Sequence, residues 1–155
     1  MSEKEIVAQC LLFFIAGFET TASTISHMLY ELALNPDVQN SLRDEINQTL
    51  SYIKTDSDEY YETINTKMPY LDACIKETLR KYPPVPRLQR RPGVDGLKVN
   101  GIELEKDTTI EICVYTIHHD EENFPEPESY QPDRFMPENK YLYANKYFPF
   151  GDGPR

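Results

Sequence analysis

The sequence predicts a mainly α fold with a small antiparallel β-sheet and a long coil, on three observations. No proline occurs before Pro36, and the chain starts on Ser2-Glu3-Lys4-Glu5, a capping box in which a hydroxyl and a carboxylate satisfy orphan amides at a helix start. Asn100-Gly101 stands between two alternating segments, and this dipeptide supplies the positive φ angles of a type I′ hairpin turn. Pro125, Pro127, Pro132 and Pro137 then follow too closely for regular structure. At 155 residues and 39% hydrophobic, the chain fits one domain with a core.

The first helix is expected from about Glu5 to Leu34. Its run Cys10-Leu11-Leu12-Phe13-Phe14-Ile15-Ala16-Gly17-Phe18 is apolar on every side, the pattern of a helix surrounded by protein. The rest of the chain offers too little to enclose such a rod, so a covering portion is expected to be missing. Within it, Ala16-Gly17-Phe18-Glu19-Thr20-Thr21 breaks local rules: Gly17 costs about 1 kcal/mol relative to alanine, and Thr20 can return its hydroxyl to the Ala16 carbonyl. A carboxylate beside a hydroxyl at a loosened turn suits proton relay. It equally suits a Glu on a polar helix side with Thr tolerated next to it.

Asn35-Pro36 reads as a cap and first helical residue, opening a second helix with Val38, Leu42, Ile46 and Leu50 on one stripe. Residues 51–66 are polar and acidic, a loop with one short helix near Asp58 to Thr63. A helix from Pro69 to Lys81 places Leu71, Ile75 and Leu79 on its apolar stripe, and Pro83, Pro84 and Pro86 end it. Glu77 and Arg80 share a face of that helix; by itself Glu-x-x-Arg reads as a surface ion pair.

Residues 85–91 are extended and basic. Strands 97–99 and 102–104 flank the hairpin turn, and Ile110, Ile112 and Val114 alternate into a further strand with one buried face, all in one small sheet. His118-His119-Asp120-Glu121 is a turn or short helix rather than a metal site, because adjacent side chains diverge. The long coil after Phe124 needs an anchor, and Arg134 of Pro132-Asp133-Arg134-Phe135 supplies one by reaching Glu77 and Arg80, provided carbonyls take up the remaining donors. The chain closes on Phe148-Pro149-Phe150-Gly151-Asp152-Gly153-Pro154-Arg155, a Gly-rich turn ending on a cation and suited to an anionic group.

Composition excludes several classes. A net charge of -10 without a basic stripe argues against a nucleic-acid partner. Cys10, Cys74 and Cys113 are odd in number and far apart, so neither a disulfide framework nor a zinc site is expected, and a reducing, cytosol-facing environment fits. No signal peptide is recognisable, and the run from Cys10 to Phe18 is shorter than the ~20 residues of a spanning helix, so no membrane crossing is expected.

Taken in order, the segments 16–21, 77–80, 132–135 and 150–155 resemble the cytochrome P-450 family, and the likeness covers essentially the whole chain as that family's C-terminal part, closest in character to microsomal detoxification members. The resemblance implies a haem-thiolate monooxygenase that inserts one oxygen atom from O2 into a lipophilic substrate, with haem b as cofactor, an NADPH-dependent reductase as electron donor, and the cytosolic face of the endoplasmic reticulum membrane as location. It implies that Glu19 and Thr20 are the acid–alcohol pair delivering protons for O–O cleavage, which favours a monooxygenase over members that rearrange peroxides. Ala16 and Gly17 would lie beside the oxygen site, and Arg90 and Arg155 would hold haem propionates. Phe150, Gly151 and Gly153 would form the haem loop, while Glu77, Arg80 and Arg134 would be a structural triad fixing the coil behind the haem. The family's cysteine ligand is expected two positions beyond Arg155. Residues 1–155 are therefore expected to be part of one domain, truncated at both ends and inactive alone. The alternative is a haem-free binding module that keeps part of the fold.

Overall fold

A computed structural model describes residues 1–153. Helix α1 (Glu3–Leu34) starts on the capping box, with the Glu5 amide donating to Ser2 Oγ at 3.4 Å and the Ser2 amide to Glu5 Oε2 at 2.6 Å. Helices α2 (Pro36–Leu50), α3 (Asp58–Thr66) and α4 (Pro69–Lys81) follow. Asn35 does not cap α2; its side-chain amide turns back to the Glu31 carbonyl at 2.8 Å and closes the end of α1 instead. The cap that sequence patterning missed belongs to α4. Glu45, projecting from α2, accepts the amides of Tyr70 at 2.8 Å and Leu71 at 2.9 Å, placing a carboxylate on the positive end of a helix that has no side-chain cap of its own.

Strands β1 (Arg87–Arg90), β2 (Leu97–Val99), β3 (Ile102–Leu104) and β4 (Ile110–Cys113) form two separate antiparallel ladders, β1 with β4 and β2 with β3, rather than one sheet. Asn100 at φ 49° and Gly101 at φ 82° make the expected tight turn. The expected buried face of β4 is absent: Ile110 is half-buried, Ile112 exposed, and the buried Val114 belongs to the short helix α5 (Val114–His118). A two-stranded ladder has no third layer to cover it. Two short 3₁₀ turns, Pro132–Phe135 and Pro137–Asn139, are the regular elements described in the terminal coil.

The apolar core is small. Leu32, Leu42, Cys74 and Tyr130 form it, with Met28, Val38, Tyr70 and Leu71 packed around them. The stripe expected on α4 holds only at Leu79, which is buried; Leu71 is half-buried and Ile75 is exposed. The buried side carries Ala73, Cys74, Glu77, Thr78, Leu79, Arg80 and Lys81, and its cations donate to carbonyls of α5 and the coil.

The first half of α1 lies open, with Leu11, Leu12, Phe13, Phe14 and Phe18 all exposed. Counting only Cys10 to Phe18 understated its apolar length: an 18-residue window of α1 has a mean hydropathy of 1.5, so length and composition alone permit a membrane span. The second half behaves as part of a folded protein, burying Glu31 against Lys81 at 2.8 Å and Tyr82 at 2.6 Å.

Candidate functional site

Three elements meet at a cleft of about 470 Å³. Helix α1 contributes Thr20, Thr24 and Met28, α4 contributes Ile75 and Leu79, and the closing turn contributes Phe150. The walls are apolar apart from the hydroxyls of Thr20, Thr21 and Thr24, of which two turn back to the helix: Thr20 Oγ1 donates to the Ala16 carbonyl at 2.7 Å and Thr24 Oγ1 to the Thr20 carbonyl at 2.9 Å. Two successive back-bonds loosen the helix here. Glu19 is exposed and does not line the cleft, nor do Ala16 and Gly17, and a Cβ added at Gly17 would meet nothing within 4 Å.

A second cleft of about 290 Å³ opens between the β1–β4 ladder and the closing turn, lined by Leu88, Arg90, Ile112, Phe148 and Asp152 among others. Among the described residues, Arg90 makes its one side-chain hydrogen bond to the Gln89 carbonyl at 2.9 Å, and its exposed guanidinium has donors to spare. Gly151 and Gly153 take φ of 88° and 92°. The positive φ favours glycine at 151, and a Cβ there would also press on Leu88 Cδ2 at 3.3 Å. Arg155 lies outside the described residues.

The scaffold behind both clefts is ionic. Glu77 and Arg80 are 0% exposed and pair bidentately, Nε to Oε2 at 2.8 Å and Nη2 to Oε1 at 2.9 Å. Arg80 also donates to the carbonyls of His118 at 2.8 Å and Pro127 at 2.7 Å, and it lies over the Phe124 ring. Arg134 comes within 3.5 Å of Glu77 Oε1 through Nε, an electrostatic contact without hydrogen-bond geometry, while its Nη2 donates to the carbonyls of Pro125 and Glu126. Glu77 Oε1 further accepts the Gln131 amide at 3.0 Å. The structure thus brings Glu77, Arg80 and Arg134 together and leaves the coil's carbonyls as the acceptors that complete them. Glu126 holds φ 51° in that coil, a left-handed conformation costing a non-glycine residue about 1 kcal/mol.

Sequence patterning missed the clamp between the cleft walls. Glu31 on α1 accepts from Lys81 and Tyr82 at the end of α4, Lys81 also donates to the Glu128 carbonyl, and Tyr82 stacks on His27 with ring centroids 4.2 Å apart. Residues fifty apart leave no local periodicity to read. The cysteines do not approach the cleft. Cys10 and Cys113 are exposed, and Cys74 is buried with its thiol pushed up to about 12 by desolvation and then by the Glu45 charge. Among the described residues, no group of three or more His, Cys, Asp or Glu side chains is placed to hold a metal ion.

Comparison with known proteins agrees on one assignment. A family model described as Cytochrome P450 matches residues 1–155. The chain is 46% identical over its whole length to "Probable cytochrome P450 6a13" of Drosophila melanogaster, covering 31% of that protein. It is 44% identical over its whole length to "Cytochrome P450 3A16" of Mus musculus, covering 30% of it. Over 96% of its length it is 47% identical to "Cytochrome P450 6k1" of Blattella germanica, covering 28% of that relative. The chain therefore spans about 30% of the length of the curated relatives it matches, and on the family match, the identities and the partial fold it belongs to the cytochrome P450 family.

Proposed function

We propose that residues 1–155 are the C-terminal part of one haem-thiolate monooxygenase domain that inserts an oxygen atom from O2 into a lipophilic substrate. The observation that carries this reading is the apolar cleft with Thr20 on one wall and Phe150 on the other, braced from behind by the Glu77–Arg80 pair. The residues suit haem b. A flat macrocycle needs apolar walls such as Met28, Ile75 and Leu79, and its carboxylates need cations, which Arg90 of the second cleft would offer, with Arg155 as second partner by the family's pattern. When bound, haem would supply a redox-active iron able to activate dioxygen.

The chain's own contributions follow from position. Thr20 Oγ1 is the proton-holding atom at the cleft wall, and Glu19, exposed beside it, replenishes it from solvent. Ala16 and Gly17 leave the helix surface bare next to this pair, and the positive φ of Gly151 and Gly153 would let the turn lie against a bound haem. Glu77, Arg80 and Arg134 fix that loop from the far side. None of the three cysteines lines the cleft, so none of them serves as the iron ligand. The rest of the full-length protein covers the exposed half of α1 and builds most of the substrate pocket. By its resemblance to microsomal members of the family, the protein would work at the cytosolic face of the endoplasmic reticulum membrane with an NADPH-dependent reductase.

Labelled dioxygen tests this. The full-length protein, given reductase, NADPH and a lipophilic alkylarene under ¹⁸O₂, is expected to place one labelled atom in the product alcohol and the other in water. Product carrying no label, or two labelled atoms, contradicts a monooxygenase.

A further inference from the structure

His118 belongs to none of the motifs above, yet it joins the ionic scaffold to the closing turn. It ends α5 and is fully buried. Its carbonyl accepts from Arg80 Nη1 at 2.8 Å, and its ring Nε2 accepts the Phe148 amide N–H at 3.2 Å. The Gly151 amide then returns to the Phe148 carbonyl at 3.0 Å, so the first bond of the turn is made to the residue His118 holds. Tyr147 stacks on the imidazole at 5.5 Å and Phe124 meets it edge-on at 5.9 Å, which leaves the ring little freedom to rotate.

The chemistry of this contact is specific. An imidazole that accepts at Nε2 must be neutral and carry its proton on Nδ1, since an imidazolium has no lone pair to offer. Burial pushes its pKa down to about 4 and keeps it neutral. Nδ1 has no hydrogen-bond partner, so the side chain's polar anchor among the described residues is the Phe148 amide.

We propose that His118 is a positioning residue whose neutral imidazole sets where the turn 148–153 begins and so fixes Phe150 relative to the Glu77–Arg80 core. Its consequence for haem rests on the function proposed above; the link itself rests on geometry alone.

The test uses the full-length protein in its reduced carbon monoxide form, which is diamagnetic. A ¹⁵N–¹⁵N coupling across the hydrogen bond between the Phe148 amide and His118 Nε2, with Nδ1 protonated, is expected. The opposite tautomer without that coupling overturns the proposal even if no variant folds. His118→Phe keeps an aromatic ring and removes the acceptor. It is expected to speed exchange of the Phe148 amide by about tenfold or more while the α4 amides keep their rates. It also raises the share of haem lacking the thiolate-type Soret band. An unchanged Phe148 exchange rate and an unchanged spectrum overturn the positioning role while leaving the proposed function intact. An unsubstituted protein that shows the coupling but takes up haem without a thiolate band supports the link and overturns the proposed function.

Discussion

Arg80 is 0% exposed and Phe13 is 76% exposed, although the two helices that carry them meet in one fold. The difference lies in how directional each kind of interaction is. A buried guanidinium needs acceptors at set angles, and these come from Glu77 and from coil carbonyls within this chain. Apolar surface makes no such demand and is covered by whatever segment packs there. The polar partners of α4 therefore come from this chain, whereas the apolar first half of α1 is left uncovered by the described residues.

Breaking the polar side has the largest expected effect. Glu77→Ala leaves Arg80 and Arg134 buried without their carboxylate and is expected to cost about 3–5 kcal/mol in the full-length protein, enough to abolish haem incorporation. Denaturant titration and haem content check this, and a well-folded, haem-loaded variant would reduce the triad to a surface pair. On the apolar side, Phe13→Ala is expected to destabilise the full-length protein by about 3 kcal/mol because the ring is covered there; a change below about 0.5 kcal/mol would mean that α1 stays exposed.

Acidification separates the two regions further. The unfolded His118 imidazole protonates near pH 6.5 and the buried one near 4. Between these values the unfolded state binds more protons, so the contribution is complete above pH 6.5 and is lost as pH falls towards 4. By pH 5 the loss amounts to about 2 kcal/mol. His118→Phe removes this component of the stability–pH profile. The smallest effect is expected at Glu45→Gln, which keeps an acceptor but removes the charge from the α4 N-terminus, at about 1 kcal/mol by denaturation.

Much of this was legible in sequence where the signal is local. The Ser2–Glu5 box, the Asn100-Gly101 turn, the bounds of α4 and the Thr20 back-bond to Ala16 all depend on residues within four positions of one another. The motif order also pointed to the family. What stayed hidden is long-range and polar: Glu45 capping α4, Glu31 joining Lys81, and His118 holding Phe148 span 25 to 50 positions and carry no periodicity. The apolar stripe on α4 misled for the same physical reason, because pairing with the coil made the polar side the buried one. Ile112 misled because a strand's alternation does not reveal whether a second layer covers it.

In the full-length protein these walls are expected to hold a haem with a cysteine thiolate. The reduced carbon monoxide spectrum of that protein tests it most directly. A thiolate-type Soret band is the result expected. Haem uptake with only a histidine-type band, or no haem uptake by a folded protein, would contradict it.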